Sequence, residues 1–172
     1  MVAPWCGVIK RDVLIKNSIC FDTRLSCAED AKFWGEVIDV EVNVRYITEV
    51  LYKYRLFRKS SAMSSMQLKH LRGRFEYFIS MYQKSLNEGE KQVSSFYLNQ
   101  AVGAAADIFR IKSRNERLEM REVISKYQET LKRASNSKYK VTTIVIKLLG
   151  DRLGCLCLRL CRRVYTYIRY EL

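Results

Sequence analysis

One proline, Pro4, one histidine, His70, and seven glycines scattered singly are all the punctuation in 172 residues. Loop signals so sparse beyond residue 60, with no internal repeat or low-complexity tract, predict that the C-terminal two thirds is helical. No window of about 18 residues is free of charge; the most apolar candidate, 141–160, is broken by Lys147, Asp151, Arg152 and Arg159. A membrane-spanning helix is not expected. The opening "MVAPWCG" lacks the basic and apolar regions of a secretory signal, so no export is expected. Six cysteines fall in two distant groups without the spacing of a disulfide framework, which points to a reducing compartment. Cys155, Cys157 and Cys161 lack a fourth ligand nearby, so buried or interfacial thiols are expected rather than zinc.

The composition is globular, with 48% hydrophobic, 12% aromatic and 28% charged residues. Lys and Arg number 31 against 18 Asp and Glu, a formal net charge of +13. Such a balance favours polyanionic partners: nucleic acid, an anionic membrane surface or phosphorylated ligands. No recognisable nucleic-acid motif accompanies it, which makes nucleic acid the weaker of these partners.

Along the chain, "RDVLIKN" predicts a short helix, and "SCAEDAKFWGEVI" opens a second from Ala28 to near Val42. Residues 44–57, "VRYITEVLYKYRLF", are β-branched and aromatic with rough alternation, predicting two short strands joined near Glu49. Leu68, Leu71, Phe75, Phe78, Ile79, Tyr82 and Leu86 share one helical face, with Gly89 as the stop. Val93, Tyr97, Ala101, Ala104, Ile108 and Ile111 mark another helix; Met120, Ile124, Tyr127 and Leu131 mark a third. The polar run "RASNSKYK" reads as a linker before a last helix from Val141 to near Tyr170.

Glu29 and Asp30 stand at the head of the second helix. Ser26 with Glu29 fits a capping box, and Asp30 complements the helix dipole. The flanks add a chemical reading. "APWCGVIKRDVLIKNSICFDTRLSCAEDAKFWGEVI" and "RYITEVLYKYRLFRKSSAM" resemble the acceptor-side half of family 2 glycosyltransferases, inverting enzymes of the GT-A fold. The resemblance covers about residues 3 to 65 and rests on Trp5, Lys10, Arg11, Ile19, Phe21, Leu25, Glu29, Asp30 and Phe33, then Ile47, Glu49, Leu51, Tyr52, Tyr54, Arg55, Ser60 and Ser61. It implies that Asp30 is the base that deprotonates the acceptor hydroxyl and that Glu29 orients acceptor or loop. Arg55 and Arg58 suit a diphosphate through forked, charge-assisted hydrogen bonds, or else form a basic solvated edge. Trp5 and Tyr54 suit a sugar ring or the core; Trp34 is expected to pack.

The fold class expected is therefore an α/β fragment of a GT-A fold followed by a mostly α-helical C-terminal region, predominantly helical overall. Residues 1–62 would be the acceptor-side segment of the catalytic domain, 63–134 a helical extension, and 135–172 a linker and basic amphipathic helix. The resemblance implies a nucleotide-sugar donor, a glycan or lipid-linked acceptor, and a divalent metal, Mg or Mn. It also predicts work in the cytoplasm, peripheral on the inner face of the membrane. Yet no Asp-x-Asp metal motif occurs, Asp39-Val40-Glu41 lies in the wrong place for one, and the strand–helix run of a nucleotide-binding half is missing. The chain thus reads as starting mid-fold and inactive alone. Residues 141–172 carry six basic and two acidic side chains. Arg152, Arg159 and Arg163 share one face, and Leu156, Leu160, Val164 and Ile168 another, the pattern of a helix that lies on an anionic lipid surface or packs on its neighbours.

Overall fold

The computed structural model describes residues 7–25, 27–40, 43, 45, 47–53 and 67–171. It is predominantly helical and divides into two compact units, Met1–Ser64 and Ser65–Leu172. The first contains α1 (Arg11–Lys16) and α2 (Glu29–Asp39). The second contains α3 (Leu68–Asn87), α4 (Lys91–Ala106), a 3-10 turn (Asp107–Arg110), α5 (Arg114–Ser125), α6 (Gln128–Lys132) and α7 (Lys138–Glu171).

No strand occurs among the described residues, so the expected β segment is not found across 47–53; its continuation from Tyr54 to Phe57 lies outside them. Ile47, Val50, Leu51 and Tyr52 are exposed there. β-branched and aromatic residues favour a pleated surface only when a neighbouring strand supplies ladder bonds and a core supplies burial. Among the described residues neither is present around 47–53.

In the second unit α3 and α4 form the most extensive helix pair. Leu71, Phe75, Phe78, Ile79 and Tyr82 supply the inner face of α3, as their spacing requires. Gly89, at φ +79°, ends that helix. The amide of Glu90 donates to Ser85 O at 2.9 Å and that of Gly89 to Leu86 O at 3.2 Å, so two carbonyls of the last turn are satisfied. Helix α4 is different: Leu98, Ala101, Val102, Ala104, Ala105 and Ala106 are all buried, while Val93 is exposed. It is covered by α3 on one side and by α7, α6 and the 3-10 turn elsewhere, and its alanines permit that close approach.

The remaining helices are held by polar ties. Ser113 caps α5, its Oγ accepting from the Glu116 amide. The expected linker is pinned to α4, since Asn99 Oδ1 accepts from Ser135 Oγ and from the Asn136 amide. Asp107 accepts from Arg74 at 2.8 Å and Arg110 at 3.1 Å. Burial pushes its carboxyl upward, but the two guanidiniums and the nearby Arg162 outweigh that, and its pKa ends below the ordinary value.

Helix α7 starts three residues before the expected Val141 and is not one rod. Gly150 has φ +75° and ψ 166°, a conformation essentially restricted to glycine, and it divides the helix into arms 138–149 and 151–171. The arms fold together so tightly that a Cβ on Gly154 would lie 2.8 Å from Ile146 Cα and 3.1 Å from Val145 O.

The second arm is fastened by buried charge. Arg117 is 4% exposed. Its Nη1 donates to Ile111 O and Lys112 O at 2.8 and 2.7 Å. Its Nε and Nη2 donate to the two carboxylate oxygens of Asp151. Arg121 adds a bond to Asp151 at 2.8 Å, and Arg159 of the second arm donates to Phe109 O and Ile111 O, both at 2.8 Å. The hydrogen bond from Arg117 chiefly holds the Asp151 carboxyl below its ordinary value of 3.8.

Gly150→Ala should cost about 1–3 kcal/mol through the forced backbone conformation, and Gly154→Val should separate the arms; urea unfolding measures both. Asp151→Ala should cost about 3–5 kcal/mol, because it leaves the buried Arg117 charge without its partner. Arg117→Met with Asp151→Leu should cost less than Asp151→Ala alone. Because the native carboxyl is depressed, the ion pair's contribution is complete above the ordinary carboxylate range and declines as pH falls through the native value. Acid titration of the wild type should therefore lose stability below about pH 4, and Asp151→Asn should flatten that loss.

Candidate functional site

The candidate acid–base pair sits in the first turn of α2. Val37 and Phe33 of this helix pack with Ile19, and Ile9, Leu14, Trp34 and Val40 border that cluster. The Phe21 ring stacks on Phe33 at 4.4 Å, and Trp34 meets Phe33 edge-on at 5.6 Å, so Trp34 packs as expected. Gly7 lies against the Trp34 ring, where a Cβ would come within 2.6 Å of Cη2. A helix of 11 residues is marginal in isolation; this apolar face is what keeps its first turn in place.

Glu29 is the first helical residue and Asp30 the second, because Ala28 is the N-cap, with φ +70° and no side-chain cap bond. The expected capping box is corrected by that register. A box needs a hydroxyl residue at the N-cap and the acid three positions later, whereas alanine occupies the N-cap and Glu29 follows it directly. Ser26 itself lies outside the described residues. The helix also ends at Asp39, short of Val42.

Asp22 takes over the anchoring. Its Oδ1 accepts from the Arg24 amide at 3.0 Å, an Asx turn, and from Arg24 Nε at 2.9 Å. Its Oδ2 accepts from Arg24 Nη2 at 2.8 Å and from Lys32 Nζ at 2.7 Å, which ties the preceding loop to α2 beside Asp30. These bonds, Arg24 foremost and Lys32 next, hold the Asp22 carboxyl well below the ordinary carboxylate range. The Asp-x-Arg spacing of "FDTRL" was the sequence signal for this turn; the partner ten residues on, Lys32, had no local signature.

Both site carboxylates are half-buried. Asp30 Oδ1 accepts from the Ala31 amide at 2.7 Å, and among the described residues no other hydrogen bond or ion pair involves Asp30. The carboxylate stands at the positive end of the helix. Trp5, Tyr54, Arg55 and Arg58, the other candidate binding residues, lie outside the described residues. Lys10 and Arg11 are exposed at the start of α1, and His70 is half-buried in α3.

Among the described residues no three His, Cys, Asp or Glu side chains converge as metal donors would. The carboxylate next to the site, Asp22, is already engaged by two cations. In the second unit Cys155 is buried, its thiol pushed up by that burial, while Cys161 is exposed. Also among the described residues, no helix is long and apolar enough to cross a membrane. Comparison with protein-family models, curated proteins and solved structures gives no match to this chain.

Removing the Asp22 anchor should loosen the turn that carries Asp30. Asp22→Asn is expected to speed amide hydrogen exchange across residues 20–34. The wild type should show the same loosening only when pH falls far below the ordinary carboxylate value of 3.8, since a depressed carboxyl keeps its bonds above that range.

Proposed function

We propose that residues 1–62 are the acceptor-side portion of an inverting family 2 glycosyltransferase of the GT-A fold. The complete enzyme would move a sugar from a nucleotide-sugar donor to a glycan or lipid-linked acceptor, as in cell-surface polysaccharide synthesis. With this reading goes a cytoplasmic setting at the inner face of the membrane.

The observation that carries it is the mounting of Asp30: a half-buried carboxylate with one oxygen uncommitted, in the first turn of a helix held by Phe33, Val37 and the Asp22–Lys32 tie. The physics suits a base. A helix N-terminus favours the ionised carboxylate, and a fixed first turn keeps it in one place relative to a bound acceptor. Asp30 would accept the proton of the acceptor hydroxyl as that oxygen attacks the anomeric carbon. The nucleoside diphosphate leaves from the opposite face, and the configuration inverts. Glu29, adjacent in the same turn, would orient the acceptor.

The 172 residues contain no Asp-x-Asp and no nucleotide-binding run, so the chain by itself is expected to be inactive. Radiolabelled transfer from a panel of nucleotide sugars tests both parts. The isolated chain should give none, and robust transfer by it would refute the inactivity. Joined to a nucleotide-binding half of the same family, the chain should transfer sugar. Asp30→Asn should then lower the rate about 10²- to 10⁴-fold, the range for loss of a positioned base, with an unchanged unfolding midpoint. Glu29→Gln should cost less, and an Asp30→Asn enzyme at full rate would remove Asp30 from the role of base.

A further inference from the structure

The polarity of α7 in the second unit runs opposite to that of an ordinary packed helix. Its charged residues Asp151 and Arg159 face the protein, bound to Arg117, Arg121 and the carbonyls of Phe109 and Ile111. Leu153, Leu156, Leu160, Val164 and Ile168 are instead 51–64% exposed. Stepping by threes and fours, these five share one arc, opposite the packed side, along roughly 22 Å of helix. At the Gly150 bend Leu148 is 78% exposed, which extends the apolar surface around the tip of the two arms.

We propose that this arc of the second arm is a docking surface for an anionic lipid bilayer, lying in the interface with its leucines among the acyl chains. Charge selects this occupant. Asp151 is the single acidic residue of 138–168, and it is turned inward against two arginines. Lys138, Lys140, Lys147, Arg152, Arg162 and Arg163 are exposed, so every exposed charged side chain of 138–168 is cationic. Arg152 and Arg163 stand about three turns apart on one margin of the apolar arc, placed to meet phosphates while the leucines enter about 5–10 Å below them. A second copy docked on the same stripe would bring like-charged margins together in a chain of net charge +13. Arg159, which the sequence pattern grouped with Arg152 and Arg163, takes no part, because its guanidinium is spent on the carbonyls of Phe109 and Ile111.

The surface is independent of sugar transfer, and flotation of the full chain with vesicles tests it. The wild type should float with phosphatidylcholine vesicles containing phosphatidylglycerol, not with phosphatidylcholine alone, and should be released by salt. Arg152→Gln with Arg163→Gln should weaken binding roughly thirtyfold, from two cationic side chains at the surface. Leu156→Glu with Leu160→Glu should abolish it; both pairs are exposed, and thermal unfolding verifies that the variants fold. The proposal is overturned if the wild type ignores anionic vesicles, or if both double variants float like the wild type. It is equally overturned if light scattering finds a dimer that Leu156→Glu with Leu160→Glu dissolves while vesicles go unbound, which would give the face to a second copy. Capture by an acidic protein without vesicle binding also counts against it.

Discussion

The second unit turns on Arg117. A guanidinium this deeply buried is tolerated only because its donors are met on two sides, by the carbonyls of Ile111 and Lys112 and by the Asp151 carboxylate. One side chain therefore joins α5, the segment after the 3-10 turn and the second arm of α7. Arg159 returns from that arm to the same segment, through Phe109 O and Ile111 O. Carbonyls at the end of a helical stretch carry partial negative charge and lack intrahelical partners, so two arginines there satisfy what would otherwise be orphaned acceptors.

The fastening decides the orientation of α7. With Asp151, Cys155 and Arg159 turned inward, helical geometry leaves Leu153, Leu156, Leu160, Val164 and Ile168 on the outside. The bend at Gly150 and the contact at Gly154 work with it, bringing the first arm back against the second. An apolar stripe facing water is costly, at about 25 cal/mol for each Å² left unburied, and this is the physical pressure behind the lipid-surface reading. In the first unit the corresponding organiser is Asp22. Its four hydrogen bonds set where α2 begins and so where Asp30 stands.

Periodicity served well where one helix face meets one core. Leu71, Phe75, Phe78, Ile79 and Tyr82 are buried as their spacing requires, and Gly89 stops α3 in a left-handed conformation. For α4 the same spacing found the helix through Ala101 and Ala104, but not the burial of Leu98, Val102, Ala105 and Ala106 on its other sides. Capping showed the same divide. "SCAE" at 26–29 and "SRNE" at 113–116 are both hydroxyl-x-x-Glu strings; Ser113 occupies an N-cap and binds the amide three residues on, whereas the N-cap of α2 is Ala28. What separates them is the Asp22 turn, whose hold on Lys32 is formed across ten residues of chain. For the site itself, Glu29 and Asp30 were legible as a pair at a helix start. Their register, second oxygen and anchor were not.

By itself the sequence determined the helical character of the C-terminal two thirds, the absence of a spanning helix among the described residues, the basic charge and the placing of two carboxylates at a helix head. All of these follow from composition and short-range spacing, which act through bonds along one helix or a few turns. Only the tertiary structure decided which side of α7 faces inward, that the helix bends at Gly150, and that Asp22 anchors the turn bearing Asp30. Those outcomes depend on pairs such as Arg117 with Asp151, 34 residues apart. The energy of a buried charge pair exists only once folding has removed the water between its members.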